Sequence, residues 1–541
     1  MRGKALLLGG ASLLLAATVA QGQTTTTTVT HKHRYHHRGK VVKTTVVTTS
    51  SERAPAAMPA PPPPPASTDP SLEERVRRLE EQLDAQREKA QAEHTRLSTL
   101  EQNFNDTSWT FDNARPTIKS GDGRFTMALR VRFQVDAANF FQDDPHDPSN
   151  MAQYKDLSDG AVVRRAFLGV EGKAFNDFWY EFRYNAGGSN GGGANATEGD
   201  PNLSLARVAY LGIPSFELNL GVIEPAFMFE GTTSSGQLMF MERPEIENIA
   251  LDSFGGGDAR RGIEARFQQA DFLMPGDNFV LGADFTGSKT GSIAGHGNGG
   301  DEQTQAMLHG SYRLWSDGVS NLIFGGDYSH AFTGGGVGTI NLQDRPELRV
   351  DGTRLISTGN IFAKTANMWA FNGGMNFENF FLGGEYAHFS VDRAAVLGGH
   401  TLDNPEFSGW FVEGSWVITG EPKSYSVSAT NNEVGGFGAP KVASPFSLAG
   451  DSWGAWELTA RYSNTDLNWN QNSALLPSGL PGVAGGEERI VMLGLNWYLN
   501  NNIKLQLNDG IVHVSKLNAP GGAIQVGQDF NELGIRLQFT N

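Results

Sequence analysis

From Gly123 onward the chain alternates apolar and polar residues at every second position. In RFTMALRVRFQV, residues 124–135, Phe125, Met127, Leu129, Val131, Phe133 and Val135 share one parity, and Arg124, Arg130 and Arg132 share the other. The same period runs through 178–185, where Phe178, Tyr180, Phe182 and Tyr184 alternate with Trp179, Glu181, Arg183 and Asn185, and again through 503–508 and 533–539. A period of two makes a strand with one greasy and one wet face. Two architectures accept it: a soluble sandwich whose greasy faces form the core, and a membrane barrel whose greasy faces meet lipid around a wet lumen.

The connections separate the two. Long links at 139–160, 187–202, 224–260, 288–303, 333–366, 392–406, 465–487 and 516–528 are interleaved with tight ones at 176–177, 213–215, 271–278, 316–321, 378–379 and 500–502. Strict alternation of short and long is what a membrane meander requires, with turns at one rim and loops at the other. It predicts an all-β transmembrane barrel of sixteen antiparallel strands over 115–541, with both chain ends on the short-turn, periplasmic side. The stretch 420–451 breaks the pattern, being long where a short turn is expected.

A barrel of that size leaves an aqueous channel. An arginine facing lipid at mid-depth costs about 2–4 kcal/mol, so Arg124, Arg130 and Arg132 are expected to face the lumen, with Arg183 on the wet parity of its strand. Tyr180, Tyr184, Trp410, Trp416, Trp497 and Tyr498 near strand ends suit the headgroup girdles.

The N-terminal segments differ in kind. Residues 1–22, with Arg2, Lys4 and an apolar run, read as a secretory signal peptide. Residues 23–70, rich in Thr, His and Pro, cannot bury a core and read as a disordered tail. A cationic tail near cell-wall polymer or anionic lipid is the main expectation there, with a transition metal on His31, His33, His36 and His37 the lesser one. Residues 71–103 open on a Ser71/Glu74 capping box and carry Leu72, Val76, Leu79, Leu83, Leu97 and Leu100 at coiled-coil spacing.

Composition excludes several classes. A formal charge of −16 argues against nucleic acid, and the lack of cysteine removes disulfides and thiolate metal sites. There is no HExxH, GxSxG or Walker motif, and Gly295, Gly297 and Gly300 lie in a polar loop, so neither an enzyme nor a cofactor is expected.

Five spaced segments, VVRRAFLGVEGKAF (162–175), EPAFMFEGTTSSGQLMFMERPE (224–245), DRPELRVDGTRLISTGNI (344–361), FSGWFVEGSWVITGEPKSY (407–425) and GAWELTARYSNTDLN (454–468), resemble the phosphate-selective porin O and P family. The resemblance implies a homotrimer in the outer membrane of a Gram-negative bacterium, passing anions through a channel narrowed by inward-folded loops. It implies that 224–260 is the main constriction and 420–451 a turn dipping into the pore. Carried over residue by residue, Arg243 is placed in the constriction with Arg260 and Arg261 at the loop's end, while Arg345, Arg349 and Arg354 fall in a loop at the vestibule. Arg164 and Arg165 match paired arginines of the family. Neighbours on a regular strand point to opposite faces, so Arg165 is expected in the lumen and Arg164 at the rim, against another protomer, or on a bulge. Ile223 stands where the family commonly carries a lysine.

Passive diffusion of phosphate or other small anions along an arginine-lined channel is the leading expectation. Organic acids or sugars are the alternative, favoured by Ile223 and by lumen residues such as Trp179, Glu181 and Glu457. A third expectation makes the protein chiefly an envelope tether through its tail.

Overall fold

The computed structural model describes residues 70–112, 114–144, 154–188, 202–257, 259–290, 302–333, 338–394, 403–427, 434–476 and 479–541. The expected signal peptide and the histidine tail lie outside them.

Helix α1 (Pro70–Asn105) occupies the expected coiled-coil segment. Its stripe of Leu72, Val76, Leu79, Leu83, Leu97 and Leu100 is exposed within this single chain. Exposed i,i+4 pairs such as Arg77–Glu81 contribute little to it.

The barrel strands are β1 (Thr126–Gln142), β2 (Gly160–Ala174), β3 (Phe178–Asn185), β4 (Asn202–Ile213), β5 (Phe216–Ile223), β6 (Arg260–Ala270), β7 (Asn278–Lys289), β8 (Thr304–Ser316), β9 (Asn321–Phe332), β10 (Ile361–Phe377), β11 (Phe380–Arg393), β12 (Glu406–Val417), β13 (Ala455–Trp469), β14 (Val483–Tyr498), β15 (Ile503–Ser515) and β16 (Asp529–Thr540). Each pairs antiparallel with the next. β16 closes on β1, with Phe539 opposite Phe133 and Leu537 opposite Val135. The sixteen strands and the alternation of connections match the sequence expectation. A hairpin, Ser108–Asp112 with Arg115–Lys119, extends the sheet at the start of β1. The turn between β2 and β3 places Phe175 and Asn176 at φ 55° and 72°, the left-handed pair that suits a tight antiparallel turn.

Burial settles the orientation. Phe133 on β1 is 40% exposed and Phe371 on β10 66% exposed on the outer surface, while Arg132, on the opposite parity of β1, is 9% exposed and faces inward. A soluble sandwich would reverse these values.

The lumen is half filled. The 224–259 loop folds into it and carries helix α2 (Glu245–Ser253). Pro244 precedes the first turn, and Ile246, Ile249 and Ala250, buried with the rest of 245–251, repeat at helical spacing. The loop seats against β10–β12, whose inner face is apolar there. Phe229 stacks on Phe381 at 6.5 Å and lies 6.4 Å from Phe411, and Phe254 stacks on Phe389 at 5.3 Å. Gly374 and Gly383 make room for it: a Cβ at either would come within 2.7 Å of the Phe229 ring. The 338–360 segment folds in beside it through Leu342, Leu348, Leu355 and Ile356. The anomalous link between β12 and β13 contains a second hairpin, Lys423–Val427 with Val434–Pro440, which touches the 224–259 loop where Ala439 N–H donates to Gln237 and Thr233 donates to the Phe437 carbonyl.

Candidate permeation site

Two cavities lie between the infolded loops and the barrel wall, one against β2 and β3 and the other against β14–β16 and β1. The upper one, about 100 Å³ and toward the long-loop rim, is lined by Arg164, Arg165, Arg183, Arg243 and Lys289, with the acids Glu224, Glu242 and Asp252. The lower one, about 510 Å³ and toward the short-turn rim, is lined by Arg130, Arg132, Lys441 and Lys504 together with Tyr425, Tyr498 and Asn500 to Asn502. Among its described lining residues there is no Asp or Glu side chain.

Arg132 forms the seam between them. Its Nη1 and Nη2 donate to the Ser235 and Ser234 hydroxyls, both at 2.6 Å, so the loop's serines meet the β1 wall where the two cavities adjoin. Gln134 adds a bond to the Ser235 carbonyl at 3.2 Å. Below it Arg130 reaches Glu171 at 2.9 Å and Glu181 at 3.7 Å. Lys504 donates to the Leu238 carbonyl at 2.8 Å.

In the upper cavity a bulge resolves the parity conflict of the paired arginines. Gln134 pairs with Arg165 and Val135 with Val163, leaving Arg164 as the extra residue, so both side chains turn inward. Both reach Glu242 of the loop, Arg164 Nε at 2.8 Å and Arg165 Nη1 at 3.4 Å. Arg536 Nη2 reaches the same carboxylate at 2.6 Å, and Arg349 Nε lies 3.9 Å away. Burial alone would raise the Glu242 pKa; the guanidiniums of Arg164, Arg165, Arg536 and Arg349 outweigh it and hold the carboxyl well below its ordinary range. Arg183 pairs with Glu224 at 2.7 Å and stacks over Phe167 at 4.6 Å. Arg243 donates to the carbonyls of Glu230 and Thr233 at 3.0 and 2.7 Å and sits 4.0 Å from Glu247.

Four placements correct the sequence expectation. Arg124 precedes the strand rather than lying on it: its backbone and guanidinium bind Asp122 in the short turn, and the side chain is exposed. Arg261 lies on the outward parity of β6 and pairs with Glu302 at 2.7 Å. Arg260 is buried but lines neither cavity; it donates to the carbonyls of Leu251, Asp252 and Gly256, a cation closing the C-terminal end of α2. Arg345 and Arg349 are carried inward on the 338–360 segment and buried there rather than set at a vestibule, Arg349 Nη2 donating to both Asp344 oxygens at 3.0 and 2.9 Å, and Arg354 is half-buried.

Other lumen cations escaped the sequence reading. Arg461 is fully buried among carboxylates, 3.2 Å from Glu230, 3.3 Å from Glu413 and in close contact with Glu347. Arg536 is bidentate to Asp136 at 2.6 Å, Arg266 binds Glu264 at 2.6 Å, and Lys423 binds Glu457 at 2.9 Å. Parity on β13, β16 and β6 marks these arginines as inward-facing; nothing local marks their distant carboxylate partners. No group of three or more His, Asp or Glu arranged to hold a metal occurs among the described residues.

A closed barrel, greasy outside and charged within, narrowed by a loop folded into its lumen, is an outer-membrane porin, a channel rather than an enzyme. The sequence model of the family "Phosphate-selective porin O and P" matches residues 128–540, and the chain belongs to that family. Porin O of Pseudomonas aeruginosa is 23% identical over 417 residues, covering 72% of this chain and 83% of that protein. Among solved structures, the outer membrane channel DcaP of Acinetobacter baumannii shows 12% identity and a TM-score of 0.42 over 78% of this chain and 99% of its own. The anion-selective porin from Comamonas acidovorans shows 12% identity and a TM-score of 0.44 over 77% of this chain and 100% of its own. Membership of the porin family places the protein in the outer membrane of a Gram-negative bacterium.

Proposed function

We propose that this porin passes small anions, inorganic phosphate among them, by passive diffusion along a basic track. From the long-loop rim the track runs through Lys289, Arg243, Arg183, Arg164 and Arg165, crosses the seam at Arg132, and continues past Arg130, Lys504 and Lys441. The observation that carries the reading is the lower chamber, where Arg130, Arg132, Lys441 and Lys504 line a cavity of about 510 Å³ whose described lining residues include no Asp or Glu. Guanidinium groups replace part of an anion's water through charge-assisted bonds. Several moderate sites in series allow the ion to leave as well as enter.

The volume of that chamber, about five times that of the upper cavity at roughly 510 against 100 Å³, together with Tyr425 and Tyr498 on its wall, favours a second reading in which organic acid anions also pass. Uptake into porin-containing liposomes tests both. Phosphate and small carboxylates should enter several-fold faster than cations of similar size, and equal rates would remove the anion reading.

The exposed apolar stripe of α1 supports a homotrimer in which helices of companion protomers cover one another. A tail at 23–70 that contacts cell-wall polymer would make the same protein a tether. Deleting 23–103 separates these roles: conductance should persist, whereas wall retention and trimer stability should fall if the segment serves them.

A further inference from the structure

We infer that Glu242 is a specificity-determining residue: a tethered anion that fills the guanidinium cluster of the upper cavity and keeps passing anions from being trapped there. This inference rests on the anion-passage reading and deepens it.

Glu242 lies on the infolded loop, yet its carboxylate is enclosed by wall residues. Arg164 presents Nε and Nη2 to its two oxygens at 2.8 and 3.0 Å, the bidentate fork by which arginine also grips phosphate and free carboxylates. Arg165 approaches both oxygens at 3.4 Å, and Arg536 adds a third guanidinium at 2.6 Å. The protein thus contains its own model of a bound anion, with the donors already arranged and the carboxylate lining the cavity an ion would traverse.

The other cluster members show why this position sets specificity. Arg536 is also held by Asp136 and Arg349 by Asp344, so those two keep a carboxylate if Glu242 is neutralised. Arg165, whose other bond is to the Gln134 amide oxygen, meets Glu242 as its carboxylate within 4 Å among the described residues, so its charge is the one that neutralising Glu242 uncovers. Several guanidiniums around one point form a deep well for a multivalent oxyanion, and a deep well slows exit. A fixed carboxylate at that point converts the well into a shallow step, the condition conduction needs.

The test is Glu242→Gln in planar bilayers, reading the phosphate concentration that halves the chloride current. It should fall by at least about tenfold, the equivalent of about 1.4 kcal/mol of added anion affinity, and Glu242→Asp, which restores a carboxylate, should bring it back toward the wild-type value. An unchanged phosphate block in Glu242→Gln overturns the inference while leaving anion passage intact. A wild-type channel that prefers cations overturns the parent reading and this one with it. If Glu242→Gln does not refold, Glu242→Ala, which vacates the position, is refolded with and without phosphate; added phosphate is expected to take the missing carboxylate's place and restore the compact, heat-modifiable barrel, and its failure to do so, with Glu242→Asp folding normally, also overturns the inference.

Discussion

The two cavities are built from the same residue type and differ in what surrounds it. In the upper cavity each arginine meets an acid brought by the loop: Arg183 has Glu224, and Arg164 and Arg165 have Glu242. In the lower chamber Arg130 leans on Glu171 and Glu181 of the wall, but Arg132 is bonded to two serine hydroxyls and Lys504 to a carbonyl, neutral acceptors rather than acids brought by the loop. The β13–β16 side goes further, immersing Arg461 among Glu230, Glu347 and Glu413. An inward-facing arginine is therefore not in itself an anion site. Its contribution depends on whether the loop facing it carries a carboxylate or a hydroxyl.

The sharpest way to break this contrast is to give the lower chamber the acid it lacks. Arg132→Glu should lower chloride conductance by roughly tenfold, within the range over which a charged cleft raises local ion concentration, and shift the reversal potential toward cations. Retained anion preference would show that the lower chamber does not set selectivity.

A second substitution tests the seat that creates both cavities. Phe229→Ala removes the ring wedged between Phe381 and Phe411 over Gly374 and Gly383, and should cost about 3–5 kcal/mol of loop packing. The expected readout is a lower unfolding temperature with a larger, noisier single-channel current. A quiet channel of unchanged size would place the loop's anchorage elsewhere.

Acidity offers a third. Burial, with Glu230 beside it and against the pull of Arg243, raises the Glu247 carboxyl from an ordinary 4.5 to about 8, and Glu385 on β11 faces it as well. A raised carboxyl contributes stability when protonated, fully below pH 4.5, and loses it as pH rises through about 8. Amide exchange over 245–253 should accelerate several-fold between pH 5 and pH 9 beyond the intrinsic rate, and Glu247→Gln should flatten that dependence. Equal corrected rates would mean that the proton is not part of the loop's seat.

The smallest effects are expected outside the lumen. Arg124→Gln and Arg261→Gln remove exposed pairs with Asp122 and Glu302, and should change stability by no more than about 0.5 kcal/mol and leave selectivity unaltered. A selectivity change in either would bring the rims into the filter.

The barrel was legible because its signals are local. Period-two alternation fixed the faces of Phe133 and Arg132, and connection lengths fixed strand number. The clash between the Arg164 and Arg165 parities already pointed to a bulge as one solution. Arg124 failed for an equally local reason, since the strand begins at Thr126 and the preceding residues form a turn around Asp122. The site was only partly legible. Arginines were readable strand by strand, but their partners come from far along the chain: Glu242 reaches Arg536 across 294 residues and Glu347 reaches Arg461 across 114. No spacing rule reports such pairings, nor the folding of 338–360 into the lumen that buries Arg345 and Arg349.

The most direct measurement is the reversal potential of the wild-type porin in a bilayer with a potassium chloride gradient. The four basic side chains of the lower chamber, with no Asp or Glu among its described lining residues, predict a potential of the sign set by chloride. A potential of the sign set by potassium would contradict the account.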